Sequence, residues 1–284
     1  MSIDIGAAEQ FLLANARLLD RHRAAVLLHG APVEPVLSTL RGYRNADGGF
    51  GHALEPDVRS PFSEPTAALH GLEVLAEIGR LGEAMAADAL RWLAGIALPD
   101  GGLPFVLATA ADYPRGPWMV AGAGGSHLTF AVAALATEAG SQLPWTAQAV
   151  QWCWRQLEAP DALTGYWAKY ALIFLDGAAD PERARVAVER LRGLLGADGS
   201  LAVPGGTADE RLTALDLAPR PGAVSRRLFT DAQVAAGLDA LERAQAEDGG
   251  WTFDWLAWSP GQSAEWRGIV TLRALLTLRA NGRC

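Results

Sequence analysis

One short turn recurs along this chain, and no other feature limits its fold as much. Asn45-Ala46-Asp47-Gly48-Gly49-Phe50 near the start returns as Gln245-Ala246-Glu247-Asp248-Gly249-Gly250-Trp251 near the end. Weaker copies lie between them: Asp100-Gly101-Gly102-Leu103, Asp161-Ala162-Leu163-Thr164-Gly165-Tyr166 and Asp198-Gly199-Ser200-Leu201. The five aspartates recur about every 50 residues, the length of one helix pair stacked on the next. Each copy follows one logic. A helix ends, glycine takes the positive φ that a Cβ would oppose, and the aspartate bonds the N–H groups of its own turn. The large apolar residue that follows plugs the joint between helix pairs.

Between the turns the apolar residues follow the helical period, with almost none of the alternation of strands. Helices are expected over 7–28, 35–43, 66–78, 82–96, 126–137, 145–157, 167–175, 181–195, 231–245 and 264–280. Asp180-Pro181 places a capping side chain before a proline suited to the first helical position. Thr230 with Gln233 fits a capping box. Gly30, Gly79, Gly140 and Gly196 follow apolar runs, where a left-handed terminus is wanted. The expectation is an all-α protein with no sheet, one domain over residues 1–284.

With 284 residues, half of them hydrophobic and 20% charged, the chain can bury a large core. A net charge of −8 and the lack of any Lys or Arg run argue against nucleic acid as a partner. Cys153, between Trp152 and Trp154, reads as a buried thiol, and Cys284 is terminal; two cysteines give no disulfide framework. Met1-Ser2-Ile3-Asp4-Ile5 is acidic where a signal peptide is basic, and no apolar run reaches about 18 residues, so a cytoplasmic protein without a membrane span is expected. His52, His70 and His127 have no metal-ligand spacing to one another, so neither metal nor cofactor is expected.

The two strongest turns resemble the Gln-Trp and Gly-Gly-Phe repeats of the terpenoid cyclase and protein prenyltransferase superfamily, over about residues 35–278. The resemblance implies an α/α toroid, a double ring of about five to six helix hairpins. The helix before each turn would lie outside, and the helix after it would line a central cavity. The Asp-x-Asp-Asp string of type II cyclases and the aspartate-rich diphosphate motif of type I enzymes do not occur here.

On that fold the segments that follow the turns gather at one end, and they hold the polar and aromatic residues, Asp209-Glu210 after the fourth turn among them. Glu55-Pro56-Asp57-Val58-Arg59 ranks first: two carboxylates beside an arginine suit acid–base work, or form a loop held by an Asp–Arg pair. Glu265-Trp266-Arg267 is second, at the start of the last helix with Ser263 as its cap; Glu265 then serves catalysis or the helix terminus. Asp254, among Phe253, Trp255 and Trp258, is third, either a proton donor with a raised pKa or a turn aspartate. Trp255, Trp258 and Trp266 read as core or as a cavity wall for carbocations or sugar rings. His52, Arg59, Trp118, His127, Trp167, Arg226 and Arg267 complete the expected ligand-binding set. The functional expectation is a prenyltransferase- or terpene-cyclase-like enzyme that encloses an apolar, isoprenoid-type small molecule for acid-catalysed cyclisation or transfer. A carbohydrate-active α/α-barrel hydrolase or lyase is the alternative, as is a helical-repeat binding module without catalysis.

Overall fold

The computed structural model describes residues 3–208 and 210–284, without the side chain of Asp161; Met1, Ser2 and Asp209 lie outside the described residues. Its helices are α1 (Ile5–Asn15), α2 (Leu18–His29), α3 (Glu34–Arg41), α4 (Pro65–Glu77), α5 (Ala84–Ile96), α6 (Leu128–Glu138), α7 (Pro144–Gln156), α8 (Tyr166–Asp176), α9 (Pro181–Leu191), α10 (Ala214–Leu217), α11 (Asp231–Arg243) and α12 (Pro260–Ala280). The fold is all-α. The departure from an expectation of no sheet is one pair of two-residue strands, Leu201–Ala202 antiparallel to Arg211–Leu212. The chain divides into two compact units, residues 1–31 with 160–284, and residues 32–159.

In the second unit, α4 and α6, which follow turns, are buried on almost every side. In the first unit, α11 precedes a turn and buries only Leu238. This difference separates helices set inside the packing from amphipathic ones that cover it.

Four of the five turns have one hydrogen-bond pattern. Asp47, Asp100, Asp198 and Asp248 each accept from the N–H two residues on, at 3.0–3.1 Å. The carbonyls of Gly49, Gly102, Ser200 and Gly250 accept from Asn45, Leu98, Gly196 and Ala246 at 2.8–3.0 Å. The first glycine has φ between 79° and 94° in all four. It also lies against a further helix: a Cβ on Gly48 would meet Asp88 of α5, on Gly101 Gln148 of α7, on Gly199 Gln233 of α11 and on Gly249 Ala7 of α1. The second glycine has a different reason. A Cβ there would stand 2.6 Å from Ser63 at Gly49, 2.8 Å from Trp152 at Gly102 and 2.8 Å from Phe11 at Gly250. Phe50, Leu103, Leu201 and Trp251 then go into the core. The Asp161 copy is not such a turn, for residues 160–162 form a 3-10 helix closed by Leu163 N–H to the Pro160 carbonyl.

Several helix limits differ from the sequence reading. The expected first helix is two, broken at Ala16 and Arg17 without glycine or proline. Ala16 is extended and packs on Gly268 of α12, where a Cβ would stand 2.9 Å from the Ala16 methyl, while fully buried Asp20 binds Arg17 and Arg23 at 2.8 and 2.6 Å. Gly196 does not take positive φ; α9 has already ended, and its N–H serves the fourth turn. The caps at Asp180 and Thr230, with the Gln233 capping box, form as expected.

At the fifth turn both residues that hold it come from opposite ends of the sequence. Asp4 N–H donates to Gln245 Oε1 and Gln245 Nε2 donates back to the Asp4 carbonyl, both at 2.8 Å, while Nε2 also reaches the Gly249 carbonyl. Gly249→Ala has to take φ 87° with a Cβ 2.4 Å from the Ala7 carbonyl, so it should cost more than about 2 kcal/mol in urea unfolding. Gly82→Ala, with open space around it, should change stability by no more than about 0.5 kcal/mol.

Candidate functional site

In the second unit, the segments after the first two turns are joined to each other. Arg59 N–H donates to the Pro114 carbonyl and Gly116 N–H to the Asp57 carbonyl, both at 2.9 Å, around the Val58–Arg115 bridge. The Arg115 guanidinium holds the second segment by donating to carbonyls of Ala111 and Met119 at 2.6 and 3.0 Å. Beneath lies a small core of Val58, Val106, Ala110 and Met119. His52 and Ala53 enter this segment with φ of 54° and 60°, a left-handed pair outside glycine that stores roughly 1–3 kcal/mol per residue. His52 is tied to Asn45 Oδ1 at 2.9 Å, and Asn45 in turn to Pro61 and Ser63.

This arrangement gathers acids against α4. Asp57 is buried, Glu55 is nearly so, and its carboxylate stands 3.6 Å from His70 Nδ1. The same segment ends on Glu64. It is fully buried at the N-terminus of α4, accepting from Leu107 N–H at 3.0 Å and Thr109 Oγ1 at 3.2 Å. Burial raises its carboxyl to about 7 against these two donors. His127, packed on Phe105 at 5.0 Å, is pushed down to about 4 by desolvation and is neutral at physiological pH. Trp118 is exposed at the edge, and Arg59 sits half-buried.

In the first unit, the segments after the third, fourth and fifth turns meet. Tyr166, at the start of α8, donates to Glu210 Oε1 at 3.0 Å. Glu210 is buried, and its other oxygen accepts from Thr207 N–H; a Cβ on Gly206 would stand 2.3 Å from that oxygen. Thr207 Oγ1 donates to the Asp254 carbonyl at 3.1 Å. Asp254 has a raised carboxyl pKa, chiefly from desolvation, with Asp216 and Glu210 adding to it and the Arg211 N–H opposing. Tyr166 is raised further, first by burial and then by Glu210. Phe253 stacks on Trp255 at 4.5 Å, and Trp255 meets Trp266 edge to face at 5.1 Å. Trp167 and Trp258 are half-buried nearby in sequence. Glu210 and Tyr166 carry no sequence signal beyond their position after a turn.

The structure reassigns other expected residues. Ser259, not Ser263, caps α12 and accepts from Gln262 N–H at 3.1 Å, so the helix begins four residues early and Glu265 lies beyond its first turn. Arg267 makes two 2.8 Å bonds to Asp248 and covers the Phe11 ring at 4.5 Å, as a strut of the fifth turn. Arg226 is spent on the Pro219 carbonyl and Asn281 Oδ1, at 2.9 and 2.8 Å. A hollow of about 180 Å³ by Glu9, His29, Arg279 and Cys284, and one of about 500 Å³ along residues 141–151, hold none of the expected residues. Among the described residues no three His, Cys, Asp or Glu side chains group as metal ligands, and no helix is long and apolar enough to cross a membrane.

No protein-family profile and no curated protein sequence matches the chain. Solved structures do. A protein from Actinoplanes is 20% identical with a TM-score of 0.62, and the match covers 98% of each chain. The type II terpene cyclase MstE from Scytonema is 16% identical with a TM-score of 0.57, over 99% of this chain and 98% of that one. A variant of MstE in complex with geranylgeranyl dihydroxybenzoate, its substrate, is 15% identical with a TM-score of 0.59, over 99% and 97%. The fold is therefore the terpene-cyclase-like α/α toroid.

Glu64 and His127 set opposite pH dependences. Glu64 has a folded pKa near 7 against 4.5, so the folded state holds the extra proton and stability falls as pH rises from about 4.5 to 7, by up to about 3 kcal/mol. His127 has a folded pKa near 4 against 6.5, so stability falls as pH drops from about 6.5 to 4. Glu64→Gln should remove the loss on the alkaline side and leave that of His127, measured as urea midpoints from pH 4 to 8. A pH profile unchanged by the substitution would contradict the buried-acid assignment.

Proposed function

We propose that this protein encloses an apolar, isoprenoid-type molecule and isomerises it by acid catalysis, with Asp254 as the proton donor. The observation that carries the reading is an aromatic wall of Phe253, Trp255 and Trp266 with an exposed acid, Asp254, between the first two in sequence. Type II terpene cyclases of the same fold lend the chemistry its precedent, although the identities to them are low.

The steps follow from the residues. The Asp254 carboxyl gives its proton to a carbon–carbon double bond, which becomes a carbocation. The indole faces of Trp255 and Trp266 stabilise that charge, each by about 0.5–2 kcal/mol. Ring closure moves the cation along the chain, and a carboxylate such as Glu210, steadied by Tyr166 and Thr207, removes a proton at the end. Nothing is added or lost, so product and substrate have one mass. Glu55 and Asp57 with His70 form a second acid group in the other unit, and Glu265 a further candidate on α12.

Incubation with geranylgeraniol and with prenylated phenols should give an isomer of unchanged mass by gas chromatography–mass spectrometry. Asp254→Asn should lower its formation by at least about a hundredfold, with the melting temperature kept. Turnover that survives in Asp254→Asn would move the donor to Asp57, Glu55 or Glu265. Cleavage of oligosaccharides without any isomer would replace the isoprenoid reading with the glycosidic one.

A further inference from the structure

Three polar atoms around the start of α12 are buried without a hydrogen-bond partner among the described residues: Gln262 Nε2, Trp255 Nε1 and Trp266 Nε1. Gln262 is 0% exposed and Trp266 9%. Gln262 and Trp266 are one helical turn apart, hence on one face of α12, and Trp266 meets Trp255 edge to face at 5.1 Å. Buried donors are almost always paired, so three such atoms in one neighbourhood demand an account.

All three are donors. The two indole nitrogens can only donate, so what they lack is an acceptor; the Gln262 amide beside them can also donate, and its Oε1 lies 3.2 Å from Ser263 Oγ, whose hydrogen is shared with the Ser259 carbonyl at 3.0 Å. The charge around these donors narrows the class. Asp254 adjoins Trp255 in sequence and is under the influence of Asp216 and Glu210. Arg267 is bound to Asp248, and the Arg273 guanidinium lies over the face of the Trp266 ring at 5.8 Å. The donors are uncharged and Asp254 adjoins them, which suits a neutral oxygen, able to accept from two of them at a time, better than a diphosphate.

We propose that Gln262, Trp255 and Trp266 form a subsite for a neutral oxygen acceptor on the ligand, a hydroxyl, carbonyl or ether at one end of an oxygenated isoprenoid. The subsite rests on the apolar-ligand reading above and adds the polar end of that ligand. The three nitrogens are shielded from solvent, so the oxygen reaches them when the segment 252–259, which carries Trp255, moves aside. Binding then gives up to two of these donors hydrogen bonds that a pure hydrocarbon cannot supply.

The test titrates farnesol, farnesene and farnesyl diphosphate against intrinsic tryptophan fluorescence. Farnesol should bind about tenfold tighter than either of the others. Trp266→Phe and Gln262→Leu should each weaken farnesol to the level of farnesene and leave farnesene unchanged. Equal affinity for alcohol and hydrocarbon overturns the oxygen subsite but keeps the apolar ligand, and tightest binding of the diphosphate overturns the neutral class. If none of the three binds, the isoprenoid reading fails, and the subsite is judged without it. In that arm dimethyl sulfoxide, a small acceptor, is added to the 15N-labelled wild-type protein. The indole N–H resonances of Trp255 and Trp266, assigned by their loss in Trp→Phe variants, should move downfield; unmoved resonances overturn the subsite.

Discussion

The structure depends on an aspartate that folds back onto its own turn. By accepting from the N–H two residues on, Asp47, Asp100, Asp198 and Asp248 each fix a reversal between two helices in the same geometry. The bond is half-buried and modest alone. Its effect is directional, because it sets where the following apolar residue enters the core and where the next helix packs. The aspartates also reach outward, Asp100 to the Trp152 indole at 3.1 Å and Asp248 to Arg267. Each turn is thus a small hub that binds a joint, a neighbouring helix and a core residue together.

The two glycines of the turn show how one motif holds two unlike constraints. The first is required by backbone sign and by the approach of another helix, the second by the approach of a side chain, joined at Gly102 by the Gly125 backbone. Ser200 stands in the second place of the fourth turn, where its hydroxyl joins Asp198 at 2.8 Å. The motif read from sequence as a repeated pair is in physical terms one obligatory residue and one negotiable one.

Legibility followed the range of the interactions. The turns, the helices between them and the caps at Asp180 and Thr230 rest on neighbours in sequence, so pattern reading finds them. The break at Ala16 rests on Gly268, and the buried state of Glu64 on Leu107 and Thr109; no local signal marks either. Arg226 and Arg267 looked like ligand-binding cations because sequence shows a charge and not its partner. Ser259-Pro260 carries the cap-then-proline signature of a helix start, and Ser263, four residues on, offers a second cap residue that the helix does not use. In the candidate site, the pairing of Tyr166 with Glu210 joins residues 44 apart, and no local signal marks it.

The seating of α1 on the fifth turn reaches beyond local packing. Elsewhere the bare face of a turn is covered by a helix that comes later in the chain; here the cover comes from its beginning, locked by the paired bonds of Asp4 and Gln245. Most stacked arrays can lengthen by duplicating a module at an end. At this joint an inserted hairpin would have to evict α1, so the fifth turn accepts no further module.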